Sequence, residues 1–198
     1  MIKDQKITGF ILAGGKSSRM GEDKGLIQVN GKAMIQNPIQ VLQDICDEVI
    51  IVSNNSTYRQ FGLNVIEDEV KDQGPLAGIC TALSYSTTQL NIIVTCDSPF
   101  VNKGLIQHLL IENEADVILP IYQERLFPLT GIYKKNALVE LNKQLIAKNL
   151  KVREAIKPLH VKQIEITKES PFYSKNLFVN LNSKKDLQEL NFRSDEGS

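Results

Sequence analysis

The sequence predicts an α/β layered domain with a largely parallel sheet. Short runs that are apolar almost throughout, such as residues 48–52 (EVIIV), are typical of strands covered on both faces. These runs alternate with segments of about ten residues whose apolar side chains recur at helical spacing. Strand–helix–strand connections of this kind place consecutive strands in parallel within one sheet, with helices packed over it.

The elements are predicted in order along the chain from these two patterns. Apolar runs bounded by turn residues predict strands over residues 7–13, 48–52, 63–66, 91–95, 116–120, 129–133 and 161–166. Helical spacing predicts helices over residues 33–45, 76–85, 102–111, 135–147, 152–156 and 184–190, the second of them opened by Gly74-Pro75.

Composition limits the class of protein. With 198 residues we expect one domain over residues 1–198, frayed at 1–6 and 193–198. The 23 basic residues balance 23 acidic ones, so no net field would hold a nucleic acid or an anionic membrane. The 3 cysteines and 2 histidines match no zinc-ligand spacing, and sparse cysteines favour reduced thiols in the cytoplasm. No apolar run approaches the roughly 20 residues that span a bilayer.

A glycine-rich, basic loop follows the first strand, with the sequence Gly14-Gly15-Lys16-Ser17-Ser18-Arg19-Met20-Gly21-Glu22-Asp23-Lys24. Open α/β sheets bind ligands outside the carboxyl ends of their strands, where this loop lies. Glycines let backbone N–H groups approach phosphate oxygens, and Arg19 and Lys24 can neutralise phosphate charge. The spacing matches neither the P-loop nor the dinucleotide-binding motif. On composition alone, a tight strand exit with solvated basic side chains explains the loop equally well.

The run from Leu12 to Lys24 (LAGGKSSRMGEDK) resembles the L-A-G-G-x-S-x-R-M-G-x-D-K signature of molybdenum cofactor guanylyltransferases. Cytidylyltransferases acting on the same pterin tend to carry L-A-A-G instead. The resemblance extends over residues 7–190 and implies a Rossmann-like three-layer αβα domain of the nucleotide-diphospho-sugar transferase type, with a mostly parallel sheet. It also implies that Leu12, Ala13, Gly14, Gly15 and Lys24 bind the nucleotide.

Asp97 follows the apolar run 91–95 in the string Thr95-Cys96-Asp97-Ser98-Pro99 and should project at the same edge of the sheet. Its carboxylate suits Mg²⁺ held against a triphosphate, because magnesium takes one or two carboxylates plus phosphates and waters. An aspartate before Ser-Pro can instead cap a turn. The D-x-P string after an apolar strand resembles the family's metal aspartate, which favours the magnesium role.

Glu67-Asp68-Glu69 closes the third apolar run. A carboxylate there could accept hydrogen bonds from the N1–H and N2–H₂ groups of guanine, or it could belong to a solvated turn. The strings V-I-E-D and G-P-L-A-G resemble family segments, and by that match Asp68 contacts the nucleotide. The family often presents an asparagine after the second strand, where this chain has Ser53-Asn54-Asn55.

The string from Phe178 to Ser183 (FVNLNS) resembles the N-x-N segment that the family places on the pterin side. Asn180 and Asn182 would point the same way from a strand. Alternatively, Asn182 or Ser183 caps the predicted final helix. Phe127-Pro128 stands where the resemblance places His-Pro in many relatives, so a polar contact there is either missing or supplied by another residue.

Taken together, the resemblance implies a cytoplasmic, magnesium-dependent guanylyltransferase. A phosphate of molybdopterin would attack the α-phosphate of GTP, pyrophosphate would leave, and Arg19, Lys24 and Asp97 would be the catalytic residues. The alternatives are a related transferase that uses CTP or another phosphorylated acceptor, and a nucleotide-binding module without activity. The expected partners are GTP, molybdopterin and proteins of cofactor biosynthesis or molybdoenzymes, with no nucleic acid or membrane.

Overall fold

The computed structural model describes residues 5–14, 23–29, 31–68, 70, 73–112 and 114–181. The strands are β1 (Ile7–Leu12), β2 (Gln28–Val29), β3 (Lys32–Ala33), β4 (Glu48–Val52), β5 (Asn64–Ile66), β6 (Leu90–Thr95), β7 (Val117–Tyr122), β8 (Arg125–Leu126), β9 (Gly131–Lys134) and β10 (Val161–Glu165). The α-helices are α1 (Gln36–Gln43), α2 (Gly74–Tyr85), α3 (Lys103–Leu110), α4 (Ala137–Ile146) and α5 (Val152–Ala155), and short 3₁₀ turns cover Lys24–Leu26 and Ser56–Phe61.

The main sheet has eight strands, ordered β10-β7-β9-β6-β1-β4-β5, with β8 paired to β7. Pairing is parallel between β1 and β4, β1 and β6, β4 and β5, and β7 and β10. Strand β9 runs antiparallel to both of its neighbours, β6 and β7. The predicted mostly parallel sheet is therefore confirmed, with β9 as a reversed strand near its middle.

Helices cover the two faces of the sheet and make three layers, as predicted. Residues of α1 and α3 pack with one set of strand side chains, which includes Ile11, Ile51 and Ile92. Residues of α2, α4 and α5 pack with the opposite set, which includes Phe10 and Ile50. All six residues of β1 and all six of β6 are buried, because both strands are covered on both faces.

Most predicted elements are present with small shifts at their ends. The largest correction concerns the predicted helix 33–45, which begins at Gln36 because Lys32–Ala33 pairs with Gln28–Val29 in a two-stranded ribbon. The predicted strand 129–133 begins at Gly131 instead. The predicted helix 184–190 and the tail 193–198 lie outside the described residues.

The carboxyl ends of three central strands lie level with one another. Leu12, at the end of β1, is the register partner of Val52 at the end of β4 and of Thr95 at the end of β6. The strand order reverses at β1, because β4 lies on one side of β1 and β6 lies on the other. Such a switch point opens a crevice between the departing loops, which is the usual ligand site of this architecture.

Candidate nucleotide-binding site

A cleft of ≈ 680 Å³ lies at this edge of the sheet. Its lining comes from the loops that follow β1, β4, β5 and β6, and from the start of α2. Among the residues that line it are Leu12, Ala13, Gly14, Lys24, Asp68 and Asp97. The cleft therefore brings together most of the nucleotide-site residues predicted from sequence. Gly15 and Arg19 lie outside the described residues, so their placement stays a prediction.

The strand exit at Ala13 is fixed by hydrogen bonds to the neighbouring loop. The backbone N–H of Ala13 donates to the carbonyl of Val52 at 2.9 Å, and the Ser53 hydroxyl donates to the Ala13 carbonyl at 2.7 Å. Ser53 is buried, with 3% of its surface exposed. On the other side, a Cβ on Gly78 of α2 would lie 3.4 Å from Leu12. The backbone from Leu12 to Gly14 is thus held rigidly along the wall of the cleft.

Asp97 lies in the turn after β6 and lines the cleft, and its Oδ1 atom is buried without a hydrogen-bond partner among the described residues. Asn102, and not Asp97, caps the following helix α3, accepting from the Leu105 N–H at 2.9 Å. An unpaired buried carboxylate oxygen is costly, and a cation is a suitable partner for it. The donor set fits a magnesium ion carried by a triphosphate, which needs few protein ligands. No cluster of three or more His, Cys, Asp or Glu side chains that could enclose a metal exists in the described ranges.

Asp68 is oriented by the helix behind it. The hydroxyl of Thr81 in α2 donates to Asp68 Oδ1 at 2.9 Å, and the Val70 N–H donates to the same oxygen at 3.4 Å. Thr81 itself is buried, with 4% exposed, so the donor is held in place by the helix. The carboxylate is therefore a fixed hydrogen-bond acceptor at the cleft wall.

The structure distinguishes the side chains of the segment 53–55. Asn55 accepts from the Thr57 N–H at 3.0 Å and donates to Asp23 at 2.9 Å, so its amide is committed to the protein. Ser53 bridges Ala13 and the Asn55 N–H. Asn54 accepts from the Asp68 N–H at 3.0 Å and lines the cleft beside that carboxylate. Asn54 is therefore the asparagine placed to face a nucleotide.

Cys96 also lines the cleft, next to Asp97. Burial is the main cause that raises the pKa of the Cys96 thiol to about 12, and the nearby Asp97 raises it further. At neutral pH the thiol is therefore uncharged and a poor nucleophile.

Asn180 lies close to Asp97. Its side-chain oxygen accepts from the Ser98 hydroxyl at 3.3 Å, and the Leu181 N–H donates to the Asp97 carbonyl at 3.1 Å. The expectation of a strand here is wrong for the described part, because residues 179–181 form no ladder. Asn180 is thus tied to the turn that carries Asp97, although it is not among the residues that line the cleft, and Asn182 lies outside the described residues.

Phe127, at the position where relatives have histidine, belongs to an aromatic stack. Its ring stacks on Phe178 with centroids 4.3 Å apart and 27° between planes, and the Arg125 guanidinium lies 5.1 Å from its centroid. Tyr122 also stacks on Phe178, with ring centroids 5.3 Å apart. Phe127 therefore contributes aromatic packing between the residues that follow β8 and the segment that leads to Asn180.

Residues 9–164 match a family described as the MobA-like NTP transferase domain. A "Probable molybdenum cofactor guanylyltransferase" of Clostridium perfringens (strain SM101 / Type A) is 37% identical, covering 93% of this chain and 96% of that protein. A relative of the same name from Flavobacterium johnsoniae is 33% identical, covering 94% and 97%. The fold and cleft are thus those of a nucleotidyltransferase.

More narrowly, the chain belongs to the family of MobA-like NTP transferase domains. The fold is shared with the crystal structure of molybdopterin-guanine dinucleotide biosynthesis protein A from Archaeoglobus fulgidus, with a TM-score of 0.80 at 22% identity and coverage of 96% of this chain and 99% of that one. Among the described residues no helix has the length and apolar character needed to cross a membrane.

Proposed function

We propose that this nucleotidyltransferase transfers GMP from GTP to molybdopterin, forming the guanine dinucleotide cofactor and pyrophosphate. The observation that carries the proposal is that one cleft is lined by Leu12 to Gly14, Lys24, Asp68 and Asp97 together. Its relatives of 31% to 37% identity carry the corresponding name, which supports the guanylyl donor and the pterin acceptor. The three free cysteines agree with work in the reducing cytoplasm.

The donor binds along the wall made by β1 and α2. The backbone of Leu12 and Ala13 borders the base, and its carbonyl oxygens keep a second lone pair that can accept from the base, although the Ala13 N–H is already bonded to Val52. Asp68 accepts from the N1–H and N2–H₂ groups that only guanine presents together. Cytosine and adenine lack that pair of donors and would give Asp68 no such pair of hydrogen bonds from the base. Lys24, and by sequence Arg19, neutralise charge on the phosphates.

The acceptor approaches from the Asn180 side of the cleft. Asn180 is held by Ser98, one residue beyond Asp97, so an acceptor bound there has its phosphate near the α-phosphate of the donor. A phosphate oxygen then attacks in line and pyrophosphate departs, a reaction that depends on positioning and charge stabilisation. A magnesium ion held by Asp97 would neutralise negative charge on the triphosphate, including the charge that develops on the departing pyrophosphate.

The test is to incubate the pure protein with molybdopterin, MgCl₂ and GTP, CTP or ATP in turn, and to identify the dinucleotide by mass spectrometry. GTP should be the preferred donor. If CTP gave more product, the related cytidylyl transfer would replace this proposal. If no NTP gave a dinucleotide although nucleotide bound, the chain would be a binding module.

Asp97→Asn supplies the sharpest variant for this assay, because it keeps the shape of the side chain and removes its charge. Turnover should fall by at least about a hundredfold, since a hard cation binds a neutral amide far more weakly than a carboxylate. The matched control is Asp44→Asn, an exposed carboxylate after α1 that contacts Gln40 and Lys103 and lies outside the cleft. Turnover by Asp97→Asn close to that of Asp44→Asn would refute the metal assignment.

A further inference from the structure

Asp23 lies in the cleft, yet its carboxylate is occupied by the protein. Three donors reach it: the Gly25 N–H at 3.2 Å, the Asn55 side-chain amide at 2.9 Å and the Tyr58 hydroxyl through a short hydrogen bond. These three protein hydrogen bonds occupy most of the roughly four acceptor sites of a carboxylate, so Asp23 is anchored to the surrounding protein. Its function must therefore lie in what it holds.

Tyr58 joins this carboxylate to the core. Its side chain has 0% exposed surface and packs with residues of β1, β4 and β6. Burial is the main cause that raises the pKa of Tyr58, so the phenol keeps its proton and donates to Asp23. Asn55, which caps the 3₁₀ turn Ser56–Phe61, supplies the second arm from the same loop.

The clamp closes on the backbone that carries Lys24. Asp23 caps the 3₁₀ turn Lys24–Leu26, with the Leu26 N–H donating to the Asp23 carbonyl at 3.0 Å. On the other side of Lys24, a Cβ on Gly25 would lie 2.4 Å from the Tyr58 hydroxyl and 3.1 Å from Cys96. The residues before and after Lys24 therefore both contact Tyr58. These contacts fix the position of the Lys24 backbone on the cleft wall.

We propose that Tyr58 and Asn55 are positioning residues for Lys24: they clamp Asp23, and through it they set where the lysine meets the phosphates of the nucleotide. The inference rests on the proposed function for the identity of the nucleotide only. A flexible lysine would lose side-chain and backbone freedom upon binding, and pre-ordering its backbone removes part of that cost. The clamp thus couples the loop after β4 to the phosphate end of the loop after β1.

Two variants break the clamp from different sides. Tyr58→Phe removes only the hydroxyl. Asn55→Asp keeps the oxygen that caps the turn and replaces the amide donor with a second negative charge, at the 2.9 Å position beside Asp23. The matched control is Tyr133→Phe, which removes another fully buried phenol whose hydroxyl donates to the Pro128 carbonyl at 2.6 Å.

The first measurement is amide hydrogen exchange of residues 23–27 in the free protein. We expect exchange at Gly25 and Leu26 to accelerate about tenfold or more in Tyr58→Phe and Asn55→Asp, and to stay unchanged in Tyr133→Phe. Because no nucleotide is present, this result does not depend on the proposed donor. Unchanged exchange in both clamp variants would overturn the inference.

The second measurement is the affinity for Mg·GTP and Mg·CTP in single variants and in the Lys24→Ala background. Tyr58→Phe should weaken binding of the preferred nucleotide by about tenfold when Lys24 is present, and should have almost no further effect when it is absent. If the fold-changes in affinity caused by Tyr58→Phe and Lys24→Ala multiplied in the double variant, Tyr58 would not act through Lys24. That result would refute the positioning role. If the wild-type protein preferred CTP, the proposed donor would be wrong. The clamp would still be tested, because the effect of Tyr58→Phe with and without Lys24 would then be compared for CTP.

Discussion

Thr81→Val removes the side-chain hydrogen bond that orients Asp68. Valine has the shape of threonine, so α2 keeps its packing while Asp68 Oδ1 loses the donor at 2.9 Å. A hydrogen bond to a charged acceptor contributes about 1.5 to 3 kcal/mol, and the partly exposed position of Asp68 argues for the lower end. A loss of about 1.4 kcal/mol in guanine recognition corresponds to a tenfold weaker preference.

The assay is calorimetric titration of each variant with Mg·GTP and Mg·ATP. We expect the GTP preference to fall by about tenfold in Thr81→Val, mostly through weaker GTP binding, because only guanine uses the oriented carboxylate. The control is Thr8→Val, which removes another 2.9 Å hydrogen bond from a buried threonine of β1, to Thr88. It should lower stability without changing the preference. A full GTP preference in Thr81→Val, or an equal loss in Thr8→Val, would refute the role of Thr81.

Three further predictions follow from the site. Lys24→Ala should weaken nucleotide binding by about 1.5 to 3 kcal/mol, measured by titration, and should also lower turnover. Unchanged affinity and turnover would show that Lys24 is a solvated loop residue. Changing Asn180 and Asn182 together to alanine should raise the acceptor KM and leave GTP binding intact, whereas a lower melting temperature with normal acceptor kinetics would favour a capping role. Since burial raises the pKa of Cys46 and of Cys96 to about 12, native protein at pH 8 should react with iodoacetamide far more slowly than unfolded protein at the same pH. Mass spectrometry that found these two thiols rapidly alkylated in folded protein would contradict this burial.

Some features absent from the sequence-based prediction had local signals. Asn30-Gly31 between Val29 and Lys32 is typical of a tight hairpin, and Gly31 has φ 77 at the turn of the β2–β3 ribbon. Asn55 before Ser-Thr is a capping pattern for the 3₁₀ turn that follows it. These elements were predictable in principle, because turn and capping preferences depend on neighbouring residues.

The reversed strand β9 had no such signal. Its first three residues, Gly131 to Tyr133, are buried like those of a parallel strand, and it lies between β6 and β7 through pairing with residues 14 to 44 positions away. Strand direction depends on the path of the whole chain, which the apolar pattern does not encode. The sheet order became known only from the tertiary structure.

The sequence by itself determined the α/β layering, the buried strands and the basic glycine-rich loop at a strand exit, because apolar periodicity and turn chemistry are local properties. It also carried the family signature, since Leu12 to Lys24 is one continuous segment. The tertiary structure alone decided the pairings that shape the site: Tyr58 to Asp23 across 35 residues, Thr81 to Asp68 across 13 and Asn180 to Ser98 across 82. The contact between Tyr58 and Asp23 requires the segments after β4 and β1 to leave the same edge of the sheet, and that condition is met because the two strands are parallel and end in register.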